Sequence, residues 1–188
     1  MHFWGHLKTV THHRFLLMQG CFRVGLYYQG LTHDLSKFSP TEFREGIKYY
    51  QGTRSPNARE REEKGYSLAW MHHKGRNRHH YEYWTDLSTV TFRYEPVQMP
   101  RRYLVEMVMD RRAACMTYQG KNYTDASPYI YFARSRERLM MHPETERQLA
   151  YLLEMLRDRG ERETFRYMKN SVLQNKPFPW EMNVTEGV

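Results

Sequence analysis

Apolar residues recur at helical spacing along almost the whole of this chain, and Pro and Gly cut the pattern into segments. The spacing predicts a first helix from about Thr9 to Tyr28, with Val10, His13, Leu17, Cys21 and Val24 on one face and Gly30 as its stop. A short helical element follows over Leu31-Thr32-His33-Asp34-Leu35-Ser36-Lys37. Ser39-Pro40-Thr41-Glu42 reads as a capping box with Pro at the first helical position, so a new helix starts there. Gln51 to Asn57 has the composition of a loop, and the next helix is predicted from about Ala58 to His73, stopped by Gly75. Tyr83 to Met99 holds β-branched and aromatic residues without an evident partner strand, and reads as an irregular crossing segment. Pro100 opens a helix to about Tyr118, and Ser127-Pro128 opens another. Pro143 begins one more, with Leu149, Leu152, Leu153 and Leu156 as its buried stripe and Gly160 as its stop. The tail after Asn170 is expected to pack through Phe178 and Trp180. No repeat or low-complexity segment interrupts this pattern, which specifies an all-α fold.

A chain of 188 residues suits one domain with a proper core, taken as 1–188. No stretch approaches the roughly 18–20 uncharged apolar residues that span a bilayer. The start, Met-His-Phe-Trp-Gly-His, lacks the basic region and apolar core of a signal peptide. Cys21 and Cys115 lie in helical apolar patterns and form no C-x-x-C pair. They read as reduced core residues of a cytoplasmic protein.

The formal charge of +8 fits either an anionic partner, such as phosphate or a nucleotide, or a solvated basic surface. Basic residues alternate with acidic ones, as in Arg59-Glu60-Arg61-Glu62-Glu63-Lys64, which argues against a nucleic-acid-binding stripe. The aromatic load of 15 Tyr, 9 Phe and 4 Trp is ordinarily core filling; Tyr27, Tyr28, Tyr49, Tyr50 and Tyr81 are candidates to line a pocket. Oligomeric state does not follow from the sequence.

The ten histidines carry the chemistry. Most fall as His12-His13, His33-Asp34, His72-His73 and His79-His80. Imidazole suits first-row divalent metals, and a carboxylate adds charge and can bridge two ions. On a helix, His33 and Asp34 would point about a third of a turn apart and so serve two adjacent metals. Asp110 lies mid-helix on the face of Tyr103, Met107 and Ala114, where a carboxylate needs a cation. Metal ligation would satisfy it, as would an ion pair with Arg76, Arg111 or Arg112.

His33-Asp34-Leu35-Ser36-Lys37 resembles the H-D-x-x-K core of the HD-domain metal-dependent phosphohydrolase superfamily. His13 before it, and His72-His73, His79-His80 and Asp110 after it, follow that superfamily's ligand order. The segments Gly-Leu-Tyr-Tyr-Gln-Gly-Leu-Thr-His-Asp-Leu-Ser-Lys and His-His-Lys-Gly-Arg-Asn-Arg-His-His-Tyr-Glu-Tyr-Trp resemble still more closely an uncharacterised bacterial family related to HD domains. The likeness covers about residues 9–120, leaving about 121–188 as a helical extension.

The resemblance implies an HD-domain-like helical bundle holding two or three divalent ions, with manganese, iron, nickel, cobalt or magnesium as candidates. His33 would bind one ion, Asp34 would bridge two, and Asp110 would be the distant carboxylate ligand. One of His12 and His13 would come first, and His13 is preferred because its face matches Leu17 and Cys21. One of His72 and His73, and one of His79 and His80, would complete a further site. Lys37 would neutralise a substrate phosphate, with Lys74, Arg76, Arg78 and, in the preceding loop, Arg54 as further basic candidates.

The implied activity is phosphohydrolysis of a phosphorylated small molecule or nucleotide, with Asp34 and Lys37 as the catalytic residues. Tyr81-Glu82-Tyr83-Trp84 stands where HD domains that act on cyclic dinucleotides carry Gly-Tyr-Pro, which argues against that substrate. The same ligand types also suit an HD-like di-iron oxygenase. A non-catalytic helical protein around a structural ion is a third reading, disfavoured because no closed ligand set containing cysteine appears.

Overall fold

The structure, a computed structural model, describes residues 2–182. It is mostly helical: α1 (Phe3–Val24), α2 (Tyr27–Thr32), α3 (Pro40–Lys48), α4 (Pro56–Lys64), α5 (Leu68–Lys74), α6 (Arg101–Gln119), α7 (Ser127–Ala133), α8 (Pro143–Asn170) and α9 (Pro179–Met182). No helix among the described residues is long and apolar enough to cross a membrane.

The first helix starts and stops earlier than its spacing predicts. Gly25, at φ 89°, takes the left-handed conformation, and the N–H of Leu26 reaches back to Cys21 O at 2.9 Å, closing the helix end. Gly30 therefore lies inside α2 rather than ending α1. The helix expected over 58–73 is two helices. Gly65 turns left-handed after α4, and the Ser67 hydroxyl accepts from Trp70 N–H at 3.0 Å to cap α5. Buried Glu60 fixes this break by accepting from Ser67 Oγ at 2.6 Å and Leu68 N–H at 3.1 Å.

The segment expected to be irregular contains an antiparallel pair, β1 (Thr85–Leu87) and β2 (Tyr94–Pro96), with Asp86 opposite Glu95. Three-residue strands are too short to show an alternating pattern in sequence. Gly160 breaks helical geometry at φ 73°, as a stop should, but the helix resumes at once and runs to Asn170. Thr164 Oγ1 donates to Gly160 O at 2.9 Å and ties the two parts together.

The core lies where α1, α6 and α8 meet. Leu17, Leu104, Val108, Leu149, Leu152 and Leu153 are all fully buried there, and Leu156 on α8 is fully buried as well. Phe178 closes it from the tail, stacked on Trp180 at 4.8 Å between ring centroids. Cys21 and Cys115 are both buried and free. Arg112, buried on α6, binds Glu161 beyond the Gly160 break, and Arg23 on α1 binds the other oxygen of the same carboxylate at 2.5 Å.

Candidate metal centre

Four stretches deliver the polar side chains to one place beside this core. His13 lies on the buried face of α1, in line with Leu17 and Cys21, and His12 next to it is exposed. Glu106 and Asp110 lie one turn apart on α6 and so share a face. His73 lies in the last turn of α5, and His79 and His80 follow the turn after it. Asn77 pins that turn, its side-chain amide donating to His73 O and to Ser36 Oγ, both at 2.8 Å.

His33 and Asp34 are not on a helix, contrary to the sequence expectation. They form the junction between α2 and a short 3-10 helix over Leu35–Phe38. His33 has extended ψ of 130°, and Asp34 sits in the left-handed region at φ 54°. Asp tolerates that region better than most side chains, and backbone held there commonly serves a site. Arg14 holds the junction by donating to His33 O at 2.8 Å and Leu31 O at 3.0 Å, carbonyls that the end of α2 leaves without helical partners.

Asp34 is 1% exposed, and its two oxygens face different ways. Oδ2 lies 3.3 Å from His33 Nε2, 3.8 Å from His13 Nε2 and 2.7 Å from Lys37 Nζ. Oδ1 lies 3.2 Å from His73 Nε2 and 3.4 Å from His79 Nε2. Asp110 joins the first group, with Oδ1 at 3.1 Å from His13 Nε2 and 3.6 Å from His33 Nε2. Two four-residue sets result, His13/His33/Asp34/Asp110 and Asp34/His73/His79/His80, and within each the ligand atoms lie no more than 4.8 Å apart. Asp34 belongs to both.

A further layer of carboxylates orients the rings. Glu106 Oε1 lies 2.9 Å from His33 Nδ1 and 3.2 Å from His79 Nδ1. Glu42 reaches His72 Nδ1 at 2.6 Å and His73 Nδ1 at 2.8 Å. Each ring is thereby held through Nδ1 while its Nε2 faces Asp34, except in His72, whose ring is engaged by Glu42 and joins neither set. His80 packs on Trp70 and His73, each at 4.7 Å between centroids.

The electrostatics keep the carboxylates of the cluster charged. Burial alone would raise the carboxyls of Asp34 and Asp110, yet the surrounding His and Lys groups outweigh it and hold both well below the ordinary range. Burial likewise opposes charge on His33 and His73, but Asp34 and the outer carboxylates raise both above the ordinary histidine value. Lys37 is raised too, burial being outweighed by Asp34 and Asp110. Burial, with His79 and His73 nearby, keeps His80 neutral, its pKa well below the ordinary value.

The ligand atoms are also left poorly satisfied. His13 Nε2, His33 Nε2, both oxygens of Asp34, His79 Nε2 and His80 Nε2 are buried and make no well-formed hydrogen bond, six of nine such atoms among the described residues, and Lys37 offsets only the Oδ2 side of Asp34. A cost of about 1–3 kcal/mol for each unsatisfied group makes that concentration expensive unless an ion is held there. Imidazole nitrogen and carboxylate oxygen without thiolate suit Mn, Fe, Co, Ni or Zn. The buried His/Asp cluster can hold a metal ion.

Lys37 is the one expected basic residue that touches the cluster. Arg78 donates to Tyr103 Oη at 3.2 Å, Arg76 donates to His72 O at 3.2 Å, and Arg54 pairs with Glu62. Lys74, at the end of α5, forms no ion pair among the described residues. Of the tyrosines, Tyr27 and Tyr28 face solvent and Tyr49 donates to Glu63 at 2.9 Å. Tyr50 meets Thr9 at 3.0 Å, and burial beside Glu82 raises the Tyr81 phenol. Asp110 pairs with histidines, whereas Arg112, an expected partner, is taken by Glu161.

Sequence reasoning missed Glu42, Glu106 and Tyr118. Glu42 was absorbed by the capping-box reading, and Ser39 Oγ does accept from Glu42 N–H at 3.4 Å while the carboxylate turns to the histidines. The available signal for Glu106 was its place one turn before Asp110 on a face read as buried. Tyr118 lies two turns beyond Asp110, its phenol raised by burial and in electrostatic reach of Lys37.

No curated protein and no solved structure matches the chain. A family model matches residues 2–155, a stretch that contains every residue of both sets. By that match the chain belongs to the Family of unknown function (DUF5662).

Proposed function

We propose that this chain is a metal-dependent phosphohydrolase that acts on a phosphorylated small molecule or nucleotide through two divalent ions sharing Asp34. The observation that carries the reading is the division of the Asp34 carboxylate, Oδ2 towards His13 and His33, Oδ1 towards His73 and His79. His13, His33, Asp34 and Asp110 would hold one ion, and Asp34, His73, His79 and His80 the other. Divalent ions so placed would polarise a phosphoryl oxygen and activate water for attack. The resemblance of His33-Asp34-Leu35-Ser36-Lys37 to the HD-domain core supports the same reading.

The chain's own groups suit a phosphate. The side chains of Lys37 and Asp110 are 29% and 18% exposed, so substrate would enter on their side. Lys37 stays charged there and would neutralise a phosphate oxygen, while the Tyr118 phenol stays protonated and can donate to another. The net charge of +8 draws an anionic substrate towards the protein.

The test is phosphate release from p-nitrophenyl phosphate and a panel of nucleotides by protein loaded with Mn, Fe, Co, Ni or Mg. The expected result is metal-dependent turnover, abolished in Asp34→Ala and with KM raised in Lys37→Met. Absence of phosphate release from every compound with every metal, with oxygen consumed by the iron-loaded form, would overturn the hydrolase reading.

A further inference from the structure

We infer that Glu106 is a positioning residue that joins the two ion sets, an inference that rests on the two-ion reading above. One oxygen of this buried carboxylate, Oε1, meets Nδ1 of His33 at 2.9 Å and Nδ1 of His79 at 3.2 Å. His33 belongs to the first set and His79 to the second. Their rings lie face to face, 4.2 Å between centroids and tilted by 37°, so the shared oxygen fixes both at once.

The chemistry of imidazole decides what Glu106 does. A neutral ring carries one N–H and one lone pair. Once an ion takes Nε2, the remaining N–H of each ring would be at Nδ1, facing Glu106, and the lone pair at Nε2, the atom that faces Asp34 and makes no well-formed hydrogen bond. His33, His79 and Glu106 also lie close enough to suggest a third ion. An ion there would take Nδ1 of both rings while Nε2 of both is engaged, and both rings would have to lose their second proton. The group therefore acts as a clamp that sets two tautomers. A carboxylate behind a ligating histidine orients the ring and raises its basicity.

Glu42 supplies an internal comparison. It holds His73 through Oε2 and His72 through Oε1, and so touches only the second set. Loss of its charge should weaken one ion, whereas loss of charge at Glu106 should weaken two.

The experiment uses the full chain and zinc as a diamagnetic probe. Stepwise zinc affinities are measured by calorimetry against a competing chelator in wild type, Glu106→Gln and Glu42→Gln. The histidine tautomers of the zinc-loaded wild type are read by long-range nitrogen–proton NMR. The expected result is two zinc ions per wild-type chain, with His33 and His79 both protonated at Nδ1. Glu106→Gln should weaken both steps by about 10–100-fold, and Glu42→Gln only one. Two zinc ions with both constants unchanged in Glu106→Gln, or with only one weakened, would overturn the clamp and leave the two-ion reading standing. If Glu106→Gln does not fold, the wild-type spectrum decides: zinc bound at Nδ1 of either ring overturns the clamp. A wild type that binds no zinc overturns the two-ion reading itself.

Discussion

Nε2 of His73 lies 3.2 Å from Oδ1 of Asp34, although one residue lies in the last turn of α5 and the other follows α2. That approach makes Asp34 common to two ligand sets, because its other oxygen is already turned to His13 and His33. The ligands to each side of it should therefore separate by mutation. His13→Ala should reduce bound metal from two ions to one, and His80→Ala should do the same at the other set. Elemental analysis of the purified variants checks this.

Metal should stabilise the fold, since the ligands converge only in the folded chain. Manganese at about 100 times its dissociation constant should add about 2.7 kcal/mol. For a chain of this size that raises Tm by about 5–10 °C. Differential scanning calorimetry with manganese and then with excess chelator measures it, and a Tm indifferent to both would count against the site.

Gly46 on α3 packs directly against His6, and a Cβ there would fall 2.2 Å from His6 Nε2. The ring has little room to retreat, with Phe43 at 5.1 Å and Tyr50 at 6.0 Å between centroids. Gly46→Ala should therefore destabilise by about 1–3 kcal/mol through overpacking. Urea denaturation should show a lower midpoint with an unchanged slope.

Glu161 gives the fold an acid-sensitive clamp away from the His/Asp cluster. Burial pushes its carboxyl up, but Arg23 and Arg112 outweigh burial and hold it below the ordinary glutamate value. A depressed carboxyl stabilises fully above the unfolded value of about 4.3, and the benefit fades as pH falls through the lower folded value. Glu161→Gln should cost about 1–3 kcal/mol at neutral pH. The difference from wild type should shrink below about pH 4 in denaturation curves taken across that range.

The sequence made helix starts legible at Pro40, Pro100, Pro128 and Pro143 but not the breaks at Gly25 and Gly65. It made Asp110 legible because a carboxylate on a buried helix face needs a partner, and His13 and Asp34 through their place in an ordered His/Asp series. It gave the wrong local geometry for His33-Asp34, since helical spacing cannot reveal that Asp34 adopts φ 54° and turns its carboxylate between two helices. Glu42 was hidden because a glutamate three residues after Ser39 also explains a helix start. Glu106 was hidden because its partners, His33 and His79, come from other parts of the chain. Which of two adjacent histidines faces inward is likewise a matter of packing: His13 is buried and His12 exposed, whereas His79 and His80 both reach the site.

The most direct measurement is the metal content of protein purified without chelator, compared with Asp34→Ala. Two divalent ions per wild-type chain and none in the variant, with helical content retained, is the predicted result. A wild type without metal, or an Asp34→Ala variant that keeps both ions, would contradict a centre built around Asp34.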